Sequence, residues 1–122
     1  MDLVIRLCKM VDIHDFITTK LPHGYQTVLG DNATQLSGGQ KQRLNICRTL
    51  YFYHNKRAVV YVLDECTSNL DAHSDEQVMN QVVDYIQEEK KATCLIVTHK
   101  SMHKHLASRI DQTIQIQTRA KE

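Results

Sequence analysis

Two adjacent acids and a histidine follow short apolar runs in this sequence. Asp64 and Glu65 come after the run 58–63, and His99 comes after the run 94–97. If both runs are parallel strands, their carboxyl ends meet at one edge of the sheet, where open α/β sheets place their ligands. Asp64 then suits Mg²⁺ or its hydration shell, Glu65 can orient or deprotonate an attacking water, and His99 can donate to a phosphate oxygen or to that water.

Each of these residues also has a simpler interpretation. Asp64 and Glu65 could cap the turn that follows them, and a lone histidine after a strand is more often structural. A metal site formed by His99, His103 and His105 is disfavoured, because no cysteine or acid completes a tight cluster with them.

A second candidate site is the segment Ser37-Gly38-Gly39-Gln40, directly before an amphipathic helix. Adjacent glycines let backbone N–H groups approach an anion, and the start of a helix adds partial positive charge. Ser37 adds a hydroxyl. Taken alone, the same residues could also be an ordinary serine-capped helix with a flexible entry.

Hydrophobic periodicity predicts the elements that position these residues. Between the first two helices, Pro22 and Gly24 indicate a break, and the polar stretch 23–34 predicts a surface connection. The sequence predicts helices over 2–19, 38–53, 72–89 and 101–108, strands over 58–63 and 94–97 that are buried on both faces, and an alternating strand over 113–116. This order predicts an α/β fold with parallel crossovers, preceded by a helical part. We expect a division into residues 1–57 and 58–122.

Composition narrows the class of protein. The 122 residues are 42% hydrophobic and 24% charged, which is typical of a globular domain. A net charge of +1 gives no electrostatic reason to expect nucleic acid as a partner. The longest apolar run, 58–63, is far shorter than the roughly 20 residues that a membrane-spanning helix needs. The four cysteines lack C-x-x-C spacing, which favours reduced thiols.

Taken together, these motifs resemble the ATP-binding-cassette (ABC) family. Residues 36–40 are similar to its signature motif, 60–64 to Walker B with Glu65 as the catalytic glutamate, and 68–71 to the D-loop. His99 is similar to the switch histidine. The resemblance implies part of a P-loop NTPase (RecA-like) parallel-sheet core, preceded by part of the ABC helical subdomain.

The resemblance also implies cofactors and partners. Two such domains would sandwich two ATP molecules, with Ser37, Gly38, Gly39 and Gln40 binding the nucleotide held by the second domain. Asp64 would hold Mg²⁺, Glu65 and His99 would act on the ATP of their own domain, and Asp71 of the D-loop would line the nucleotide site. The segments 14–17 and 21–27 resemble multidrug-type exporters, so residues 27–31 would face the coupling helices of a transmembrane domain at the cytosolic face of a membrane.

Departures from the family pattern limit these expectations. No G-x-x-x-x-G-K-[ST] phosphate loop (Walker A) occurs in the sequence, so the chain resembles the second half of an ATPase domain and is expected to be inactive alone. Ala33 replaces a frequent glycine, Cys66 replaces the usual alanine or proline, and Lys100 replaces the exporter arginine. A soluble ABC ATPase of the DNA-repair or translation type, or a truncated or regulatory fragment, remains an alternative to the export ATPase.

Overall fold

A computed structural model describes residues 1–30, 33–56, 58–89, 91–101, 104–114 and 116. The two strands form one parallel sheet in which Val60 is opposite Thr93 and Asp64 is opposite Val97. Three α-helices precede the sheet, where the sequence predicted two. The elements are α1 (Asp2–Met10), α2 (His14–Lys20), a 3₁₀ turn (Gly24–Gln26), α3 (Gly38–Tyr53), β1 (Val60–Asp64), α4 (Ala72–Asp84), a π-helical turn (Tyr85–Glu89), β2 (Thr93–Val97) and α5 (Lys104–Ala107).

The single helix predicted over 2–19 is wrong, because the chain breaks at Asp12. Asp12 has a φ of 57°, and the N–H groups of Asp12 and Ile13 donate to the carbonyls of Lys9 and Cys8 at 3.0 and 2.9 Å. This is the pattern of a Schellman cap, which ends a helix at a left-handed residue. Arg43 of α3 donates to the Asp12 carboxylate at 3.0 Å and so holds the break in place. Apolar spacing continued across the break and concealed it.

The prediction that both strands are buried on both faces is also wrong. Tyr61 and Leu63 of β1 are buried against the helices, whereas Val60 and Val62 are 55% and 60% exposed. In β2, Leu95 and Val97 are likewise exposed. Within the described ranges only one face of the sheet carries a helical layer, and this leaves the side chains of the other face open.

The C-terminal part differs from the prediction at its end. The helix predicted over 72–89 is present as α4 and the π-helical turn, and α5 occupies part of the segment 101–108. No strand forms at the described residues of 113–116, where Ile114 and Ile116 are 84% and 91% exposed. The alternating pattern finds no apolar surface there to pack against.

One hydrophobic core links the helical part to the sheet. It includes Leu7 of α1, Leu50 of α3, Leu63 of β1 and Val82 of α4, all at most 9% exposed. The core therefore crosses the boundary expected at residue 57. Over the described residues, no helix combines the length and the apolar character that a bilayer crossing requires.

Candidate functional site

Glu65 lies at the carboxyl end of β1 in a strained backbone conformation. Its φ is 46°, a left-handed value that costs a non-glycine residue free energy and that concentrates at functional sites. Its N–H donates to the carbonyl of Val97 at 2.9 Å, which extends the pairing of β1 with β2 by one residue. The chain then turns into the loop that precedes α4.

The structure brings Glu65 and His99 together, as the parallel-strand argument predicted. Oxygen Oε1 of Glu65 accepts from the backbone N–H of His99 at 2.8 Å and lies 2.7 Å from its Nδ1. The side-chain hydrogen bond from His99 is the main reason that the pKa of Glu65 is lowered, so the carboxylate is ionised at neutral pH. An ionised carboxylate can only accept, so Nδ1 of His99 carries the proton in this contact.

Asp64 is the last residue of β1 and is exposed to solvent. Asp64 and Glu65 both line a cavity of about 310 Å³ between α3 and β1. Two carboxylates on one accessible surface are donors of the type that Mg²⁺ prefers, so these residues fit the cation that the sequence suggested. His103 and the side chain of His105, two members of the three-histidine alternative, lie outside the described residues.

Ser37 begins α3 with a capping box. Its hydroxyl accepts from the N–H of Gln40 at 3.2 Å, and the side-chain oxygen of Gln40 accepts from the N–H of Ser37 at 2.8 Å. The first N–H groups of a helix have no acceptor within the helix. Because Ser37 occupies only that of Gln40, the N–H groups of Gly38 and Gly39 are left as donors for an anion.

The structure adds a reason for the two glycines that the sequence did not show. A Cβ on Gly38 would lie 3.3 Å from Nδ2 of Asn69, and one on Gly39 would lie 3.0 Å from a methyl of Leu70. The start of α3 therefore packs closely on the loop 68–71. These glycines and that loop line a cavity of about 490 Å³, which places the signature-like and D-loop-like segments on one surface.

Asp71 lines the same cavity and also caps α4. Its carboxylate accepts from the N–H of Ser74 at 3.0 Å, and hydrogen bonding from Ser74 lowers the pKa of Asp71. Its observed contact is thus structural, and the carboxylate stays charged beside the cavity.

Two further residues hold the loop between the two clusters; sequence reasoning missed Gln42 and named Lys100 only as the replacement of an arginine. Nε2 of Gln42 on α3 donates to the hydroxyl of Ser68 at 2.7 Å, and its side-chain oxygen accepts from the N–H of Asn69 at 2.8 Å. From the other side, Nζ of Lys100 donates to the carbonyl of Thr67 at 2.9 Å. Their positions directly after the signature-like segment and after His99 were the only available signals.

Several known proteins are similar to this chain. A family model described as ABC transporter matches residues 9–68. P-glycoprotein 14 of Caenorhabditis elegans is 43% identical over 97 residues, and the ATP-dependent lipid A-core flippase of Saccharophagus degradans is 41% identical over 92. The chain belongs to the ABC transporter family. An ATP-bound bacterial Atm1-family ABC exporter has a similar structure, with a TM-score of 0.65 and 30% identity over 90% of this chain.

This ABC transporter chain is similar to only a small part of each relative. The matched residues make up 80% of this chain but 7% of P-glycoprotein 14, and 75% of this chain but 14% of the flippase. The structural match covers 17% of the exporter chain. The fold is accordingly a partial ABC ATPase domain, with part of its helical subdomain before part of its parallel-sheet core.

Proposed function

We propose that this chain supplies the signature and Walker B parts of an ATPase domain that hydrolyses ATP to drive export across a membrane. The contact between Glu65 and His99 beside Asp64 is the observation that carries this proposal. The export assignment rests on the names of the relatives, which include a flippase and an exporter. We keep the division into residues 1–57 and 58–122 as part of the proposal.

Glu65 is suited to hold the attacking water. Both hydrogen bonds from His99 fall on Oε1, and in the described part of the chain no hydrogen bond reaches Oε2. The lowered pKa of Glu65 keeps this oxygen negatively charged, so it accepts from a water more readily than it removes a proton completely. When bound, Mg²⁺ would supply positive charge that balances the negative phosphate oxygens. Asp64 would hold this ion or its hydration shell.

The contact with Glu65 limits which groups His99 can donate to, and the sequence did not show this limit. While Nδ1 donates to Glu65, Nε2 of a neutral imidazole is an acceptor and cannot donate to a phosphate oxygen. His99 therefore donates to the phosphate only as an imidazolium, or after releasing Glu65.

The signature segment serves a different nucleotide from the one at Glu65. The cavity beside Ser37, Gly38 and Gly39 shares no lining residue with the cavity beside Asp64 and Glu65. This separation supports a dimer in which each domain completes the phosphate site of the other. Residues 27–30 would face the transmembrane coupling helices at the cytosolic side, and Asp31 of that expected contact lies outside the described residues.

The test of Glu65 uses these 122 residues joined to a phosphate-loop half from an ABC relative. Glu65→Gln should lower ATP turnover by roughly 10²–10⁴ and leave ATP binding intact. Glu88→Gln, at an exposed acid of the π-helical turn, is the control and should retain activity. Near-normal turnover in Glu65→Gln would show that Glu65 is not the catalytic glutamate.

The signature is tested in the same joined protein with Gly38→Asp. Because a Cβ alone would press on Asn69, Gly38→Ala measures the steric effect, and the difference between the two variants measures the charge. Gly38→Asp should still load ATP but fail in ATP-driven dimerisation. Lost loading with dimerisation preserved would place the signature on the ATP of its own domain.

The unmodified chain should bind Mg-ATP only weakly, since it lacks the lysine and amide cradle that supplies most phosphate affinity. Isothermal titration calorimetry measures this directly. Micromolar affinity would contradict the half-domain proposal. Failure of the joined protein to hydrolyse ATP would favour the alternative of an inactive or regulatory fragment, and activity independent of any membrane domain would favour a soluble ABC ATPase.

A further inference from the structure

Cys8 and Cys47 form a pair of neighbouring thiols outside the nucleotide site. Cys8 lies on α1 and Cys47 on α3, the two helices pack together, and both residues are at most 7% exposed. Both side chains line the same cavity, so the two thiols belong to one cluster. Neither ATP binding nor hydrolysis, as proposed above, uses this pair.

Tyr25 lines the same cavity as the two thiols. Its hydroxyl lies 2.9 Å from Nδ1 of His14, a contact that holds the phenol at the cavity wall.

The pKa values follow this arrangement. The hydrogen bond from Cys47, with a smaller contribution from Tyr25, lowers the pKa of Cys8 to about 7. Interaction with Cys8, and after it burial, raises the pKa of Cys47. One thiol of the pair is therefore a nucleophile near neutral pH, and the other is a retained proton donor.

A cavity of about 220 Å³ gives a small reagent access to both sulfurs. Cys8, Cys47 and Tyr25 line it, together with the apolar side chains of Leu7 and Ile17 and the exposed residue Arg48 at α3. A water-sized molecule occupies about 30 Å³, so hydrogen peroxide fits easily. A bulky, charged peptide disulfide does not suit such a small apolar space.

We propose that Cys8 and Cys47 are a peroxide-oxidised thiol pair that closes to a disulfide between α1 and α3. The Cys8 thiolate attacks one oxygen of hydrogen peroxide, which breaks the O–O bond, forms a sulfenic acid on Cys8 and releases hydroxide. The sulfur of Cys47 then attacks the Cys8 sulfur, its proton leaves with the hydroxyl group as water, and the S–S bond forms. Two thiols are oxidised and one peroxide is reduced to two waters overall.

Cys66 and Cys94 provide a matched pair within the same chain. They are also partly buried, but desolvation raises the pKa of Cys66 to about 11 and also raises the pKa of Cys94. The Cys66 sulfur lies 3.7 Å from the sulfur of Met79, an apolar neighbour that gives its thiolate no stabilisation. Peroxide should therefore distinguish the two pairs.

The experiment treats the full chain with hydrogen peroxide at pH 7.4 and follows each cysteine by peptide mass spectrometry. Cys8 should be consumed at least tenfold faster than Cys66, because its larger thiolate fraction outweighs its weaker intrinsic nucleophilicity. The product should have lost two hydrogens and should contain a peptide that joins Cys8 to Cys47. Cys47→Ser should stop at a sulfenic acid on Cys8, which a 1,3-diketone traps, whereas the double variant Cys66→Ser, Cys94→Ser should form the disulfide normally.

The pH profile separates a reactive pair from two merely accessible thiols. The rate of Cys8 loss should rise with a midpoint near pH 7, and Tyr25→Phe should move that midpoint upward while keeping the ring. Equal rates for Cys8 and Cys66, a Cys66–Cys94 bond, or no Cys8–Cys47 bond under conditions that oxidise the urea-unfolded chain would each overturn the proposal. None of these readouts depends on ATP hydrolysis, so this result and that of the proposed function are independent.

Discussion

Lys100 and Asp75 form the most deeply buried ion pair in the described part of the chain. Nζ of Lys100 lies 3.3 Å from the Asp75 carboxylate, 2.9 Å from the carbonyl of Thr67 and 3.4 Å from that of Leu70. The side chain of Asp75 is 11% exposed and that of Lys100 is 28% exposed. Lys100→Met keeps the length of the side chain but leaves the carboxylate and both carbonyls without this donor.

Removing one partner of a buried pair costs about 3–5 kcal/mol of the free energy of unfolding. We expect the lower end, about 3 kcal/mol, because water reaches part of the Lys100 side chain. With a urea slope of about 1.5 kcal/mol/M, this lowers the unfolding midpoint by about 2 M. Circular dichroism during urea titration measures the shift.

Arg6 and Glu89 form the matched control. Their ion pair is 2.9 Å long, but the two side chains are 51% and 45% exposed, so Arg6→Met should cost only about 0.2–1 kcal/mol. The double variant Lys100→Met, Asp75→Leu removes the stranded charge and should be at least about 1 kcal/mol more stable than Lys100→Met alone. If Lys100→Met costs no more than Arg6→Met, or if the double variant is the less stable of the two, the carboxylate of Asp75 does not depend on Lys100 and the reasoning fails.

Three further outcomes follow from single positions. Ala33→Gly should raise the free energy of unfolding by about 1 kcal/mol, since Ala33 has a φ of 41°, whereas Ala72→Gly, at the first residue of α4, should give no such gain; thermal unfolding of both variants decides. Gly39→Ala should lower stability by about 1 kcal/mol, because overpacking against the facing loop outweighs the better helix propensity of alanine, and a gain in stability would contradict the close contact. The pKa of Glu65, followed by NMR of its carboxyl carbon, should rise toward its ordinary value in His99→Ala. The lowered pKa contributes stability that is present above the unfolded value of about 4.3 and is lost as the pH falls through the folded pKa, so an unchanged titration in His99→Ala would remove His99 as the cause.

Local pattern was sufficient to predict much of the site. Ser37 and Gln40 form the capping box at the helix start that the sequence indicated, and β1 and β2 pair in parallel. Parallel pairing alone brings Glu65 and His99 to one edge, because the carboxyl ends of parallel strands coincide. These features depend on chain direction and on neighbours a few residues away, so the sequence contains enough information for them.

Other features depend on contacts between segments that are distant along the chain, and these became visible only in the folded chain. The break at Asp12 is held by Arg43, which lies 31 positions along the chain, so apolar periodicity could not show it. The loop at Asn69 packs so closely on the signature-like segment that its glycines have no room for a Cβ. Packing therefore requires these glycines, in addition to any contact with a nucleotide. Motifs in the sequence were sufficient to indicate the family and to predict that Glu65 and His99 lie together. Tertiary packing decided that Lys100 enters a loop of the site and that one sheet face stays open, because burial and pairing are properties of segments that meet only after folding.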